Sequence, residues 1–456
     1  MHVAILGNGI AGSTAARFLR KLDPSCRISM ISAETDYFFS RTALMYVYMG
    51  HMRWEDIKPY EDWFWKENRI ELVRDYVEHI DFEAKTLQFK GGAGLQYDKL
   101  ILAVGSAPNK FGWPGQELKG VRGLYSYQDL EYMEQHSDGL ERAVIVGGGL
   151  IGIEMAEMFH TRHIPVTFLV REDAYWNMVL PKEESEMVSR HIKEHGIDLR
   201  LSTELEEIVD DGSDRACAVK TKDGERIDCG YVGLTAGVHP NISFLKDTPL
   251  ETEKGILADD HLQTNLPDVY AIGDCAQIRT PKPGRRPIEA VWYTGRMMGE
   301  VVAYNVCGKP VAYDPGVWFN SAKLMDIEYQ VYGQVSGRMP EEHASIYWEH
   351  ADGRKSIRIV YDKNEGHVVG FNLMGVRYRH ELCDKWLKEQ APVEDVLQNL
   401  GAANFDPEFY KEYEQEVVEI YNQQTGRQLK LKKRRGLRRA LQVLGVRMRG
   451  GEGERG

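Results

Sequence analysis

The stretch His2-Val3-Ala4-Ile5-Leu6-Gly7-Asn8-Gly9-Ile10-Ala11-Gly12 runs from an unbroken apolar segment into three spaced glycines. An apolar run without alternation fits a strand buried on both faces, and the glycines fit a tight turn that opens a helix. In such a turn the first glycine bends the chain and the second lets the backbone approach a pyrophosphate. The third allows helix to pack on strand. The arrangement recurs about 140 residues later, where Arg142-Ala143-Val144-Ile145-Val146 leads into Gly147-Gly148-Gly149-Leu150-Ile151-Gly152. One glycine fingerprint is weak evidence, whereas two at strand ends point to two dinucleotides and to electron transfer between them. In each, the helix amino terminus offers N–H groups and a positive dipole end to phosphates.

Around these motifs the layout repeats at module scale. Met1 to about Asn109 reads as strand, turn, helix and a second strand, Arg27-Ile28-Ser29-Met30-Ile31-Ser32. Glu34 follows that strand, where a carboxylate can accept hydrogen bonds from an adenosine ribose. An aromatic-rich stretch from Tyr37 to Trp65 reads either as a packed helical excursion or as a wall over a cofactor. Residues 120–245 repeat the scheme, with Glu154 on the helix after the second fingerprint. Their strands are Val166–Val170 and a run from Tyr231 that reaches Gly237. Thr264 to Asp274 then returns to the first module. From about Gly316 to Tyr421, strand-like runs at 345–348, 356–361 and 368–373 precede helical patterns, as in an α+β domain.

With 456 residues the chain has room for about three domains. No apolar stretch reaches the length of a membrane-spanning helix. The first strand begins at once, so a cytoplasmic location is expected, without a signal peptide. The six cysteines (Cys26, Cys217, Cys229, Cys275, Cys307, Cys383) are scattered singly, with no C-x-x-C pair. The histidines carry no zinc spacing, so no metal site is expected. Net charge is −12, yet residues 426–456 hold eleven Lys/Arg against two Glu. Within this tail Leu437, Leu441, Leu444 and Met448 fall on one helix face beside a cluster from Lys432 to Arg439. An amphipathic basic tail of this kind can lie on an anionic membrane, dock on a protein partner or stay disordered. Nucleic acid is not expected, since the acidic body repels phosphate and no reading motif accompanies the charge.

The order of motifs resembles that of the FAD-dependent pyridine nucleotide oxidoreductases. These include glutathione reductase, NADH oxidase and peroxidase, coenzyme A disulfide reductase, ferredoxin and rubredoxin reductases, and apoptosis-inducing factor. The resemblance is strong over residues 1–315 and moderate over 316–420. It implies an α/β protein with two Rossmann-like, glutathione reductase-like dinucleotide-binding domains and a C-terminal α+β interface domain. The FAD-binding domain would comprise 1–115 and 246–315, the NAD(P)H-binding domain 116–245, the interface domain 316–425, and the basic tail 426–456. A homodimer is the implied state.

Carried over by position, Gly7, Gly9 and Gly12 would hold the FAD pyrophosphate and Glu34 its adenosine ribose, although some relatives place that acid at the position of Ala33. Val77 would meet the adenine through its backbone. Ala103, Gly105 and Pro108 match an A-T-G-x-x-P crossover in which Val104 replaces the usual threonine. Asp274, beside Gly273, would bind the ribityl hydroxyls. Gly147, Gly149, Gly152 and Glu154, with Gly237 closing the module, would form the NAD(P)H site. Glu289 and Trp292 resemble the segment that lines the flavin in ferredoxin reductases; Glu289 would contact the nicotinamide side and Trp292 would cover the isoalloxazine. A helix-start glutamate with a core tryptophan is the alternative.

Cysteine-based relatives carry a redox cysteine eight residues before a glycine in this loop; counting back from Gly50 gives Thr42. A hydroxyl cannot form a sulfenate or mixed disulfide. The loop Ser40-Arg41-Thr42-Ala43-Leu44 instead looks like that of ferredoxin reductases and apoptosis-inducing factor, which would bring Arg41 near the FAD pyrophosphate. The lysine that follows there in those relatives is replaced by Tyr46. Arg171 stands where a 2′-phosphate would be bound, but Glu172 beside it disfavours phosphate, so the balance tips to NADH. The implied activity is transfer from NAD(P)H through FAD to an acceptor outside this chain: a small redox protein, a quinone or O2. A slow, redox-gated interaction protein resembling apoptosis-inducing factor is the alternative.

Overall fold

The strand His2–Leu6 is the centre of a five-stranded parallel sheet, flanked by Arg27–Ser32 and Lys99–Leu102. Val3, Ala4 and Ile5 have no exposed surface, which is why this strand reads as a continuous apolar run. Ile70–Arg74 pairs outside Arg27–Ser32, and Val269–Ala271 pairs in parallel beyond Lys99–Leu102, so the chain does return to its first sheet after residue 264. A second parallel sheet follows the order Asp198–Arg200, Val166–Leu169, Ala143–Val146, Tyr231–Leu234 and Val121–Arg122. Each central strand feeds a helix, Ile10–Leu22 in the first module and Leu150–Thr161 in the second. These are the two Rossmann-like modules. A short antiparallel link, Val238–Pro240 against Ser106–Pro108, joins them.

These features belong to a computed structural model, which describes residues 1–406 and 411–432. The expected amphipathic helix around Leu437–Met448 lies outside the described residues. The chain forms two compact units. Met1–Tyr175 and Ile192–Gly316 make one, containing both parallel sheets. Trp176–His191 joins the residues from Val317 onward in the other. The layout expected from sequence assigns 176–191 to the module 116–245 instead.

A buried ion pair is one of several contacts within that grouping, beside Trp176 on Tyr329 and Arg190 on Glu349. In the second unit Arg358 donates through Nε and Nη2 to the two carboxylate oxygens of Glu184, at 2.7 and 2.8 Å. Asn372 adds a third hydrogen bond at 3.1 Å. Glu184 has no exposed side-chain surface, and a charge so buried needs its partner. The rest of this unit is a five-stranded antiparallel sheet, ordered Phe319–Leu324, Ile327–Gly333, Val368–Met374, Ser356–Asp362 and His343–Glu349. Helices His380–Lys388, Val393–Asn399 and Glu414–Thr425 share its core through Trp386, Val396, Leu397 and Val417. No helix among the described residues is long and apolar enough to cross a membrane.

Candidate functional site

Four parallel strands of the first sheet end at one cavity of about 620 Å³. Leu6 and Gly7 come from the end of the first strand, and Ile31 to Glu34 from the second. Ala103 to Ser106 follow Lys99–Leu102, and Ile272 to Asp274 follow Val269–Ala271. Open α/β sheets bind their ligands at such carboxyl ends, where strand order reverses about the first strand. The volume lies within the range of small-molecule and cofactor sites.

At the cavity floor the three fingerprint glycines take different tasks. Gly7 has φ +114°, and a Cβ there would sit 2.1 Å from the Ala103 carbonyl oxygen. A Cβ on Gly12 would lie 2.0 Å from the Gly7 carbonyl oxygen. A Cβ built on Gly9 meets no atom of the described residues within 4 Å, so its missing side chain leaves open space in the wall. The second fingerprint repeats this: Gly147 has φ +123°, a Cβ on Gly152 would lie 2.3 Å from the Gly147 carbonyl oxygen, and one on Gly149 would meet open space. Gly9 and Gly149 cap their helices with no side-chain hydrogen bond, which leaves first-turn N–H groups available to an anion. Asn8 anchors the first turn by donating to the Thr35 carbonyl at 2.8 Å, while the Ser13 hydroxyl donates to the Asn8 carbonyl at 2.8 Å.

One end of the cavity is polar and charged. The Glu34 carboxylate accepts from Arg41 Nη1 at 2.8 Å and Nη2 at 2.6 Å, and from the Tyr127 backbone N–H at 2.9 Å. Tyr127 opens the helix Tyr127–Ser137, so Glu34 also sits at a positive helix end. Burial works against the Arg41 charge, but Glu34 more than offsets it and raises the Arg41 pKa. Further along, Asp274 accepts from the Ser106 hydroxyl at 3.0 Å. Burial pushes the Asp274 carboxyl up, while Ser106 and Arg41 pull it the other way. Val77 and Tyr76 stand in the wall, as do Thr42, Glu154, Ala290 and Trp292. Burial, together with the neighbouring Glu157, pushes the Glu154 carboxyl up to about 8.

The structure therefore brings Gly7, Gly9, Glu34, Arg41, Thr42, Val77, Ala103, Gly105, Glu154, Gly273, Asp274 and Trp292 to one cavity. Gly12, Gly147, Gly149, Gly152 and Gly237 lie outside its wall, as does Arg171, an exposed residue paired with Glu172 at 2.8 Å. Glu289 is not in the wall either. Its carboxylate is buried against Arg285, with Nε to Oε1 at 2.7 Å, a placement closer to the helix-start alternative than to contact with nicotinamide. Tyr46, at the position of the relatives' lysine, packs near His51. The aromatic stretch fulfils both of its readings: Phe38, Phe39, Leu44 and Met45 line the cavity, while Trp65 is core. Cys275 is buried, donates to the Leu102 and Ile272 carbonyls, and is pushed by burial up to about 12.

Tyr125, Ser106, Asn241 and Phe244 also form the wall, although no sequence motif singles them out. The one local signal is the capping box of Ser126 and Asp129, which marks the helix start just after Tyr125.

Comparison with known proteins agrees with this geometry. Residues 1–299 match the family described as pyridine nucleotide-disulphide oxidoreductase, and the chain belongs to that family. The ferredoxin reductase subunit of 5,5'-dehydrodivanillate O-demethylase from Sphingobium sp. is 30% identical over 374 residues, covering 81% of this chain and 88% of that protein. Nitrite reductase [NAD(P)H] of Bacillus subtilis is 29% identical over 380 residues. The match takes in 82% of this chain but only 45% of that longer protein. An NAD-dependent persulfide reductase from A. fulgidus shares the fold with a TM-score of 0.81 at 24% identity, covering 93% of this chain and 84% of that one. The protein is an FAD-dependent NAD(P)H oxidoreductase.

Proposed function

We propose that the protein takes electrons from NADH and delivers them, through FAD, to a small redox protein. The observation that carries this reading is the single cavity in which an open, uncapped glycine turn, the Glu34–Arg41 pair and the Asp274 carboxylate line up along the strand ends. In this reading Gly7, Gly9 and the first turn of Ile10–Leu22 hold the FAD pyrophosphate. Glu34 and Arg41 secure the adenosine half, and the Val77 backbone meets the adenine. Asp274 accepts from the ribityl hydroxyls, and Trp292 covers the isoalloxazine. FAD, when bound, supplies the chemistry, accepting two electrons from the nicotinamide and passing them on. Gly147, Gly149 and Gly152 form the corresponding cradle for the nicotinamide dinucleotide. Glu154, neutral at pH 7, is placed to donate a hydrogen bond rather than repel a phosphate-bearing ligand. The Glu172 carboxylate, paired with Arg171, favours NADH over a 2′-phosphorylated nucleotide.

Two features support a protein acceptor. One similar chain is a ferredoxin reductase subunit. In addition, the segment Arg279–Arg286 exposes Arg279, Lys282 and Arg286, while Arg285 is taken up by Glu289, and it leads directly to Ala290 and Trp292 in the cavity wall. Exposed cations beside the electron exit steer an acidic partner. In the same reading the interface domain pairs two copies and the protein works in the cytoplasm, its basic tail touching a membrane surface or a protein partner.

Stopped-flow mixing of NADH-reduced protein with a [2Fe–2S] ferredoxin, a rubredoxin, a short-chain quinone and O2 tests the acceptor. Fastest reoxidation by an iron protein, slowing as salt rises, is expected. Faster reoxidation by quinone or O2 would reject a protein acceptor.

A further inference from the structure

Tyr125 lines the cavity and contacts both Arg41 and Ser106. Its phenol oxygen accepts the backbone N–H of Ser106 at 2.8 Å, and the hydroxyl of the same Ser106 donates to Asp274 at 3.0 Å. Its ring lies under Arg41, whose guanidinium carbon is 4.3 Å from the ring centroid, and its backbone carbonyl accepts from Arg41 Nη1. Arg41 in turn holds Glu34. One side chain thus connects Glu34 and Arg41 with Ser106 and Asp274, residues that come from four different strand ends or loops. The backbone is shaped around it: Gly105 has φ +67°, and a Cβ there would lie 2.7 Å from the phenol oxygen. Burial pushes the phenol up to about 12, so it keeps its proton through the neutral range.

We propose that Tyr125 is a positioning residue for the flavin cofactor, its hydroxyl fixing Asp274 through Ser106 and its ring fixing Arg41. The inference rests on reading this cavity as the FAD site. Its two halves separate by variant. Tyr125→Phe removes the hydroxyl and keeps the ring, so the Ser106–Asp274 end loosens while Arg41 stays stacked. Tyr125→Leu removes both.

The test uses the purified yellow holoprotein without any nucleotide, so that a failure of the reductase reading does not affect it. Visible flavin spectra and midpoint potentials are recorded for both variants, and FAD release is followed during dialysis against mild denaturant. Tyr125→Phe is expected to shift the spectrum and the potential while FAD release rises less than about threefold. Tyr125→Leu is expected to add an increase in FAD release of about tenfold. Ser106→Ala provides an independent route to the same end. It should reproduce the Tyr125→Phe shift, and the double variant should add little to either one, as expected of two groups acting in series. If the Tyr125 variants do not fold, a spectrum and potential unchanged in Ser106→Ala would overturn the proposal. A Tyr125→Phe protein with wild-type spectrum and potential, whatever its melting temperature, would also overturn it.

Discussion

Glu34 and Arg41, seven positions apart in sequence, face each other as a two-point ion pair, with 2.8 and 2.6 Å contacts, at the polar end of the cavity. Taken from the sequence alone, one would serve an adenosine ribose and the other a pyrophosphate. The structure joins them, so each orients the other before any ligand arrives. Both side chains are less than a third exposed, and loss of either leaves a charge in a poorly solvated place. Arg41→Ala is expected to cost about 1–2 kcal/mol of stability and to speed FAD release. Arg41→Lys should not restore the protein, because an ammonium cannot supply the paired donors. Thermal melts with and without added FAD check both statements.

The glycines of each fingerprint should separate folding from binding. Gly9 and Gly149 have φ −67° and −104°, values open to any residue, and open space where a Cβ would go. Gly9→Ala should therefore change stability by less than about 0.5 kcal/mol and yet lose FAD. Gly149→Ala should keep FAD and raise the KM for NADH by about tenfold, near 1.4 kcal/mol of binding. Gly7→Ala, at φ +114° and 2.1 Å from a carbonyl oxygen, should yield little folded protein. Flavin content per chain, melting temperature and KM read the three cases apart.

Glu154 gives a pH dependence of definite sign. Its carboxyl is pushed up to about 8 by burial and by Glu157, so it is protonated at pH 7 and ionises as pH rises through 8. An ionised carboxylate at the nucleotide site repels the dinucleotide, so the KM for NADH should climb between about pH 7 and 9, and Glu154→Gln should flatten that rise. The same shift lowers stability over a separate window. Because the folded state holds the proton more tightly than the unfolded chain, stability falls as pH rises from about 4.5 to 8. Denaturant midpoints of the wild type and Glu154→Gln across that range measure it.

How much of this was legible in the sequence depended on how local the cause was. The strand-glycine-helix signatures are contiguous, so both modules and the turn at the end of each first strand could be read directly. The strands at 343–349, 356–362 and 368–374 also match the expected runs closely, since contiguous runs rich in β-branched and aromatic residues carry their own signal. The unread contacts span long separations. Ser106 meets Asp274 across 168 residues, and Arg41 meets Tyr125 across 84. Arg358 meets Glu184 across 174 residues, and Trp176 meets Tyr329, so the segment 176–191 groups with the second unit. Glu289 illustrates the converse problem. Its neighbours Ala290 and Trp292 reach the cavity, but Arg285, four residues earlier in the loop, captures its carboxylate.

Nucleotide choice should respond to a single carboxylate. Arg171 is mostly exposed and held by Glu172 at 2.8 Å. Glu172→Gln frees the guanidinium for a 2′-phosphate and should raise kcat/KM for NADPH by about tenfold, with little change for NADH. Steady-state kinetics with both nucleotides and a dye acceptor measure the ratio.

The central claim is that electrons enter from a nicotinamide dinucleotide and reside on FAD. Anaerobic titration of the purified protein with NADH, followed at the visible flavin band, tests it most directly. NADH is expected to bleach the band within the mixing time at one nucleotide per flavin, with NADPH markedly slower. A flavin band that persists in excess NADH and excess NADPH would contradict it.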